Sequence, residues 1–277
     1  MPIHILGDSP LPENNSADIG IFGGSGFYKL LDNAEELTIE TPYGMPSAPV
    51  TVGTLSSKRV AFMPRHGSKH EYPPHKINFR ANMWAMKSLG ITRIISPCAV
   101  GTLKRNIEPG HFVLADQYVD RTTGRADTFY DGPGATHVSA ADPYCPELRS
   151  LAEHAGSKAG ITVHPRGTVV VIQGPRFSTR SESKWFSGMG WDVINMSQYP
   201  EAHLARELEL CVLNISLVTD YDCGFEDIPP VSHELVTKVF NENLQKLRVL
   251  LVNLLETVPL ERNKCKCGQS LVGAAIS

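Results

Sequence analysis

The chain has 277 residues, 26 basic and 29 acidic side chains, a net charge of −3 and an apolar content of 42%. That length buries a core without staples, and the near balance of charge, with no Lys/Arg block, excludes the usual basic nucleic-acid surface. No apolar run reaches the length of a bilayer span, and the first residues lack the basic start and long apolar stretch of a secretion signal, so a cytoplasmic single domain is expected over 1–277, with 1–17 as an N-terminal extension and 258–277 as a tail.

In chain order, "ADIGIFGGSG" predicts a short apolar strand entering a glycine turn, and "RVAFMPRHG" a strand that ends in two basic side chains. "HKINFRANMWAMKSLG" predicts a helix closed by Gly90, followed by "TRIISPCAVG", an apolar strand with its own glycine turn. "HFVLADQYVD" reads as one strand, "CPELRSLAEHAGSKAG" as a helix and "RGTVVVIQGP" as a β-branched strand. Next come a helix in "TRSESKWFSGMG", a strand in "WDVINMS", a helix in "PEAHLARELEL" and a buried strand in "CVLNISLVTD". A long helix is expected from about Ser232 to Glu256. Leu235, Val239, Leu247, Leu250, Leu251, Leu254 and Leu255 form its apolar stripe. Strands alternate with helices throughout, which predicts an α/β fold around a central sheet with its site at strand ends.

Polar groups collect at those strand ends. "FGGSGF" offers backbone N–H groups and a hydroxyl to an anion, but it lacks both the G-x-G-x-x-G order of a dinucleotide site and the Lys of a P-loop. Arg65 and His66 end another strand, and a guanidinium fork suits a tetrahedral oxyanion. Together these elements suit inorganic phosphate or a phosphoryl group. Asp220 and Asp222, in "VTDYDCG", stand two residues apart where a strand runs out, which would place both carboxyls on one strand face. Carboxyls so placed resist joint ionisation, and one keeps a proton near neutral pH, as a general acid requires.

The six cysteines are too sparse for a disulfide-built scaffold. In "CKC", one intervening residue is awkward spacing for tetrahedral zinc, and no second Cys/His pair lies nearby in the sequence, so no metal is expected.

The motifs "IGIFGGSGF", "TPYGMPS", "RHGSKH", "NFRANMWAMK", "AVGTL", "DQYVDRTTGRADTFYDG", "DPYCPE", "GTVVVIQGPRFSTRSES", "DVINMS", "PEAHLARE" and "VTDYDCG" follow one another across roughly residues 18–245. In that order the chain resembles the purine nucleoside phosphorylase family, and within it the branch that acts on methylthioadenosine. The resemblance implies a mixed central β-sheet distorted into a barrel and flanked by helices, assembled as trimers or dimers of trimers. It implies phosphorolysis of 5′-methylthioadenosine to adenine and 5-methylthioribose 1-phosphate, a salvage reaction with inorganic phosphate as co-substrate and no cofactor. The alternative within the family is a broader purine nucleoside phosphorylase acting on adenosine or 6-oxopurine nucleosides. A nucleosidase using water and a non-catalytic nucleoside-binding module are further rivals.

Carried over position by position, the phosphate cradle is Ser25, Arg65, His66, the Cys98–Ala99 turn and Ser197. Relatives often have a hydroxyl residue where Cys98 stands. Met196 backs the ribose, and Phe177, Ser178, Thr219, Asp220 and Asp222 match the purine pocket, with Asp220 donating to N7 and Asp222 accepting from the exocyclic amine. At the 5′ end, Val236 lines the pocket and His137 matches a residue lent by a neighbouring subunit. His233 departs from the apolar residue of methylthio-specific relatives, which implies that adenosine is used as well. Heat-adapted archaeal members resemble the chain in a C-terminal Cys-x-Cys, and that likeness implies a Cys145–Cys211 bridge and a Cys265–Cys267 bond.

Overall fold

The computed structural model describes residues 16–23, 31–262 and 264–275. Two long strands form its axis, β5 (Arg93–Thr102) and β11 (Cys211–Asp220), paired in parallel with Arg93 opposite Cys211 and Val100 opposite Val218. Every residue of β11 is buried, which explains why "CVLNISLVTD" is a continuous apolar run rather than an alternating one. On the other side of β5 lies β1 (Ile19–Gly23), followed outward by β4 (Lys58–Pro64), β3 (Val50–Leu55) and β2 (Asp32–Leu37). At its far end β5 also pairs, antiparallel, with β10 (Val193–Asn195), which leads to β9 (Thr168–Ile172) and β7 (Gln117–Arg121). β11 carries β6 (Phe112–Val113), which pairs with β8 (Val163–His164). The mixed sheet thus has eleven strands among the described residues and forks at β5.

Helices cover both faces, and the period of two in β11 divides the core between them. Val212 and Val218 belong to the cluster built with α1 (Phe79–Ser88) and α4 (Gln198–Glu207). Leu213, Ile215 and Leu217 pack with α2 (Pro146–Lys158) and α5 (His233–Thr257). The polar ends of these helices are satisfied locally. Asn78 accepts from Ala81 N at the start of α1, Ser232 accepts from Leu235 N at α5, and Thr179 and Glu182 form a reciprocal capping box at α3 (Arg180–Gly188). No helix among the described residues is long and apolar enough to cross a membrane.

The structure departs from the sequence-based elements in several places, among them β3 and β8, which the sequence reading did not anticipate. "HFVLADQYVD" is two strands, β6 and β7, rather than one. β2 has no counterpart in the sequence reading, because "DNAEEL" is an almost wholly exposed edge strand without apolar alternation. In α5 the stripe from Leu247 to Leu255 is buried as expected, but Leu235 is exposed and Val239 only half-buried. The first turns of that helix leave the core and overhang a cavity instead.

All six cysteines are free thiols. The expected Cys145–Cys211 and Cys265–Cys267 bonds are not formed. Cys211 Sγ instead lies 3.5 Å from Cys265 Sγ, so the contacts do not follow the expected pairs.

Candidate active site

A cavity of about 500 Å³ opens where β4, β5, β10 and β11 end, roofed by the start of α5. Arg65 and His66 enter it directly after β4, where Gly67, at φ +83°, turns the chain back and donates from its N–H to Pro64 O. Arg65 is buried (3% exposed) and four of its five N–H donors are engaged. Nε and Nη2 grip the Glu201 carboxylate at 2.9 and 3.0 Å, Nη2 also donates to Ser96 Oγ, and Nη1 donates to Pro97 O. Burial works against the guanidinium charge, but Glu201 outweighs it and holds the Arg65 pKa above its ordinary value. One Nη1 hydrogen remains for a ligand. Glu201 sits in the first turn of α4 and is itself held by Ser96, while Gln198 and Tyr144 extend the network by hydrogen bonds of 2.7 and 3.1 Å.

His66 donates from Nδ1 to Tyr72 O at 2.9 Å, which fixes the tautomer and leaves Nε2 as an acceptor. Burial, with help from the Arg65 charge, pushes its pKa down to about 4, so the imidazole is neutral at pH 7. His70 stacks on it at 4.4 Å between ring centroids, and His233 completes a rim of three imidazoles around the cavity.

The two aspartates line the same cavity, each 3% exposed. They do not share a strand face. β11 stops at Asp220, and Asp222 lies beyond it with φ +50°, so the alternation rule that predicted their alignment no longer applies. Asp220 Oδ1 accepts from Asp222 N at 2.8 Å. Thr219 Oγ1 lies 2.8 Å from Asp220 Oδ2 and 3.2 Å from Val100 O, and its single hydrogen serves only one of these acceptors. A proton on Asp220 resolves the conflict: Oδ2–H donates to Thr219 and Thr219 donates to Val100. Burial raises the Asp220 pKa, and the Asp222 charge adds to the effect. Burial likewise raises that of Asp222, although the Ser183 and Ser178 hydroxyls beside it pull the other way. Asp222 Oδ2 is buried without a hydrogen bond of standard geometry, which leaves it available to a ligand. Room for the Asp220 carboxyl comes from Gly101 on the neighbouring strand, where a Cβ would stand 2.8 Å from Oδ1.

The chain matches the phosphorylase superfamily over residues 18–256. It belongs to that family. An S-methyl-5′-thioadenosine phosphorylase of Thermofilum pendens is 51% identical over 260 residues, which cover 93% of this chain and 98% of the relative. A purine nucleoside phosphorylase of Streptomyces coelicolor is 46% identical over 266 residues, 93% of this chain and 95% of the relative. Among solved structures, a methylthioadenosine phosphorylase from an antarctic soil metagenomic library superposes with a TM-score of 0.90 at 38% identity, covering 95% of this chain and 93% of that one.

Most of the residues singled out in the sequence meet in this phosphorylase's cavity: Arg65, His66, Cys98, Ala99, Met196 and Ser197, then Phe177, Thr219, Asp220, Asp222, His233 and Val236. Ser25 lies outside the described residues. Ser178 does not line the cavity, although its carbonyl accepts from Cys223 Sγ nearby. The Cys98 thiol is taken up by Asn214 Nδ2 and Asn195 Nδ2, which donate to it at 3.2 and 3.3 Å, so the backbone of this turn is its more available surface. His137 is exposed, away from the cavity, in the loop between β7 and α2, where its N–H donates to Ala274 O. Sequence reasoning missed Glu201, which looks like an ordinary acid at a helix start, and His70, which closes the quoted "RHGSKH".

Proposed function

We propose that this phosphorylase uses inorganic phosphate to cleave the N-glycosidic bond of 5′-methylthioadenosine, releasing adenine and 5-methylthioribose 1-phosphate without a cofactor. The observation that carries the reading is a pair of buried carboxyls with raised pKa, one fitted to stay protonated, in the same cavity as a buried arginine. Adenine presents N7 as an acceptor and its exocyclic amine as a donor. When the nucleoside binds, Asp220 turns its Oδ2 proton from Thr219 to N7, and Thr219 Oγ1–H donates to the carboxyl instead. Asp220 gives up that proton as the C1′–N9 bond breaks, which neutralises the departing base. Asp222, through Oδ2, accepts from the amine. Phosphate attacks C1′ from the opposite face as the sugar takes on oxocarbenium character, and a phosphate oxygen forms the new bond. Arg65 supplies charge and its remaining N–H to the anion. The neutral His66 Nε2 accepts the P–OH hydrogen of monohydrogen phosphate. The backbone of the Cys98–Ala99 turn and Ser197 complete this cradle, as does Ser25 in the resemblance. Met196 backs the ribose, and Phe177 covers the purine.

The thioether fits beside Val236 and Phe240 at the start of α5. His137, exposed on this chain, is assigned by the family resemblance to the pocket of a neighbouring subunit, in what we take to be a trimer or a dimer of trimers. The test is base release from a panel of nucleosides with and without phosphate. Adenine release that requires phosphate is the expected result. Equal rates in phosphate-free buffer, or preferred release of hypoxanthine, would overturn the assignment. His233 lines the same cavity, and an imidazole can hydrogen-bond a 5′-hydroxyl, which favours a second substrate. His233→Val is expected to lower kcat/KM for adenosine about tenfold relative to methylthioadenosine, the equivalent of one neutral hydrogen bond. An unchanged ratio removes the histidine from that role.

A further inference from the structure

Away from the cavity, four of the six cysteines come together. Cys145 precedes α2, Cys211 opens β11, and Cys265 and Cys267 lie in the C-terminal tail, yet all four Sγ atoms lie within 4.8 Å of one another. We propose that Cys145, Cys211, Cys265 and Cys267 form a closed four-thiolate site for one thiophilic metal ion, and that Zn²⁺ is the ion whose chemistry fits it best.

The spacing argument that disfavoured zinc considered only neighbours in the sequence. The fold supplies the second pair from far along the chain. At a Zn–S distance of about 2.3 Å, the edges of a sulfur tetrahedron are roughly 3.8 Å long. The 3.5 Å between Cys211 and Cys265, and the 4.8 Å limit on all pairs, bracket that value. An all-sulfur donor set selects zinc or iron among common ions, and the burial of Cys145, Cys211 and Cys267 leaves no open position for a substrate, so the site is structural.

Its surroundings favour thiolates. Cys145 is the N-cap of α2, where the helix dipole stabilises negative charge. Arg93 lies opposite Cys211 in the strand register, buried and bound to Glu147 at 3.1 Å, and its Nε is a buried donor without a hydrogen bond. Metal binding releases the thiol protons to solvent and needs no oxidant, whereas two disulfides from the same four sulfurs would need one for each pair.

The test uses the full chain, purified without oxygen, reduced with a phosphine and stripped with a chelator. Titration with Co²⁺ should saturate at one ion per chain, with the thiolate-to-metal charge-transfer and ligand-field bands of a tetrahedral sulfur site. Zn²⁺ should then displace the cobalt. Cys265→Ser and Cys267→Ser should each weaken uptake by more than the roughly 10–100-fold that outer-sphere partners cost. The wild-type cobalt spectrum carries the test even if a variant does not fold. Uptake below about a tenth of an ion per reduced chain, a six-coordinate nitrogen–oxygen spectrum, or unchanged uptake in a folded Cys265→Ser protein would overturn the proposal.

Discussion

Replacing Asp220 with Asn removes a proton while keeping the shape around it. The amide oxygen can still accept from Asp222 N, and the amide N–H₂ can donate to Thr219 Oγ1, which reproduces the hydrogen bonding of the neutral acid. A positioned general acid contributes about 10²–10⁴ in rate, or roughly 3–5 kcal/mol at 1.36 kcal/mol per decade. The expected loss in kcat for methylthioadenosine at saturating phosphate is therefore at least about 100-fold. Stability should move the other way. Burial raises the Asp220 pKa above its usual 3.8, so the folded protein holds this proton more tightly than the unfolded chain. That contribution is full below the ordinary value and is lost as pH rises through the raised one, by about 1.4 kcal/mol per unit of elevation. Asn does not ionise, so the variant escapes the loss. Denaturant midpoints for Asp220→Asn should equal or exceed the wild type at neutral pH, with a gap that widens from acid to neutral. A kcat within a few-fold of wild type, or a gap that closes as pH rises, would refute the argument that a neutral acid works at this position.

Glu201→Ala leaves the Arg65 guanidinium buried without its partner and should cost about 3–5 kcal/mol in chemical denaturation, with a rise in the KM for phosphate. Glu201→Gln keeps hydrogen bonds to the arginine and should cost less. Gly101→Ala places a methyl group 2.8 Å from Asp220 Oδ1 and should lower kcat by about 100-fold through displacement of the acid, with little change in the KM for phosphate. For His66, the folded pKa is about 4 against an ordinary 6.5, so its stability contribution is full above 6.5 and lost as pH falls towards 4. His66→Gln should flatten that acid limb by up to about 3 kcal/mol in phosphate-free buffer.

The parts legible in the sequence are those whose physics is local. Continuous apolar runs marked β5 and β11, and Ser232 marked the start of α5, because burial and capping leave their imprint on adjacent residues. The strand-end groups were legible as a set because a helix-covered sheet places its polar residues there. What escaped depends on residues far apart in the chain. Glu201 matters because it meets Arg65 across 136 positions, and nothing near it in the sequence signals a buried ion pair. The same holds for the thiol cluster, where "CKC" shows one half of the arrangement and the fold shows the rest. The relation between Asp220 and Asp222 was misjudged for the opposite reason. A local rule was extended one turn past the strand to which it applies.

The ladder between β5 and β11 has a consequence for timing in the reaction. Pro97, Cys98 and Ala99, on β5, line the side of the cavity that the proposed reaction gives to phosphate, while Gly101 on the same strand faces Asp220 across an irregularity that follows Val218. Attacker and leaving group are therefore gauged by one rigid ruler of backbone amides. In the proposed reaction, the spacing between incoming oxygen and departing base is then set chiefly by the main chain rather than by coordinated side-chain motion.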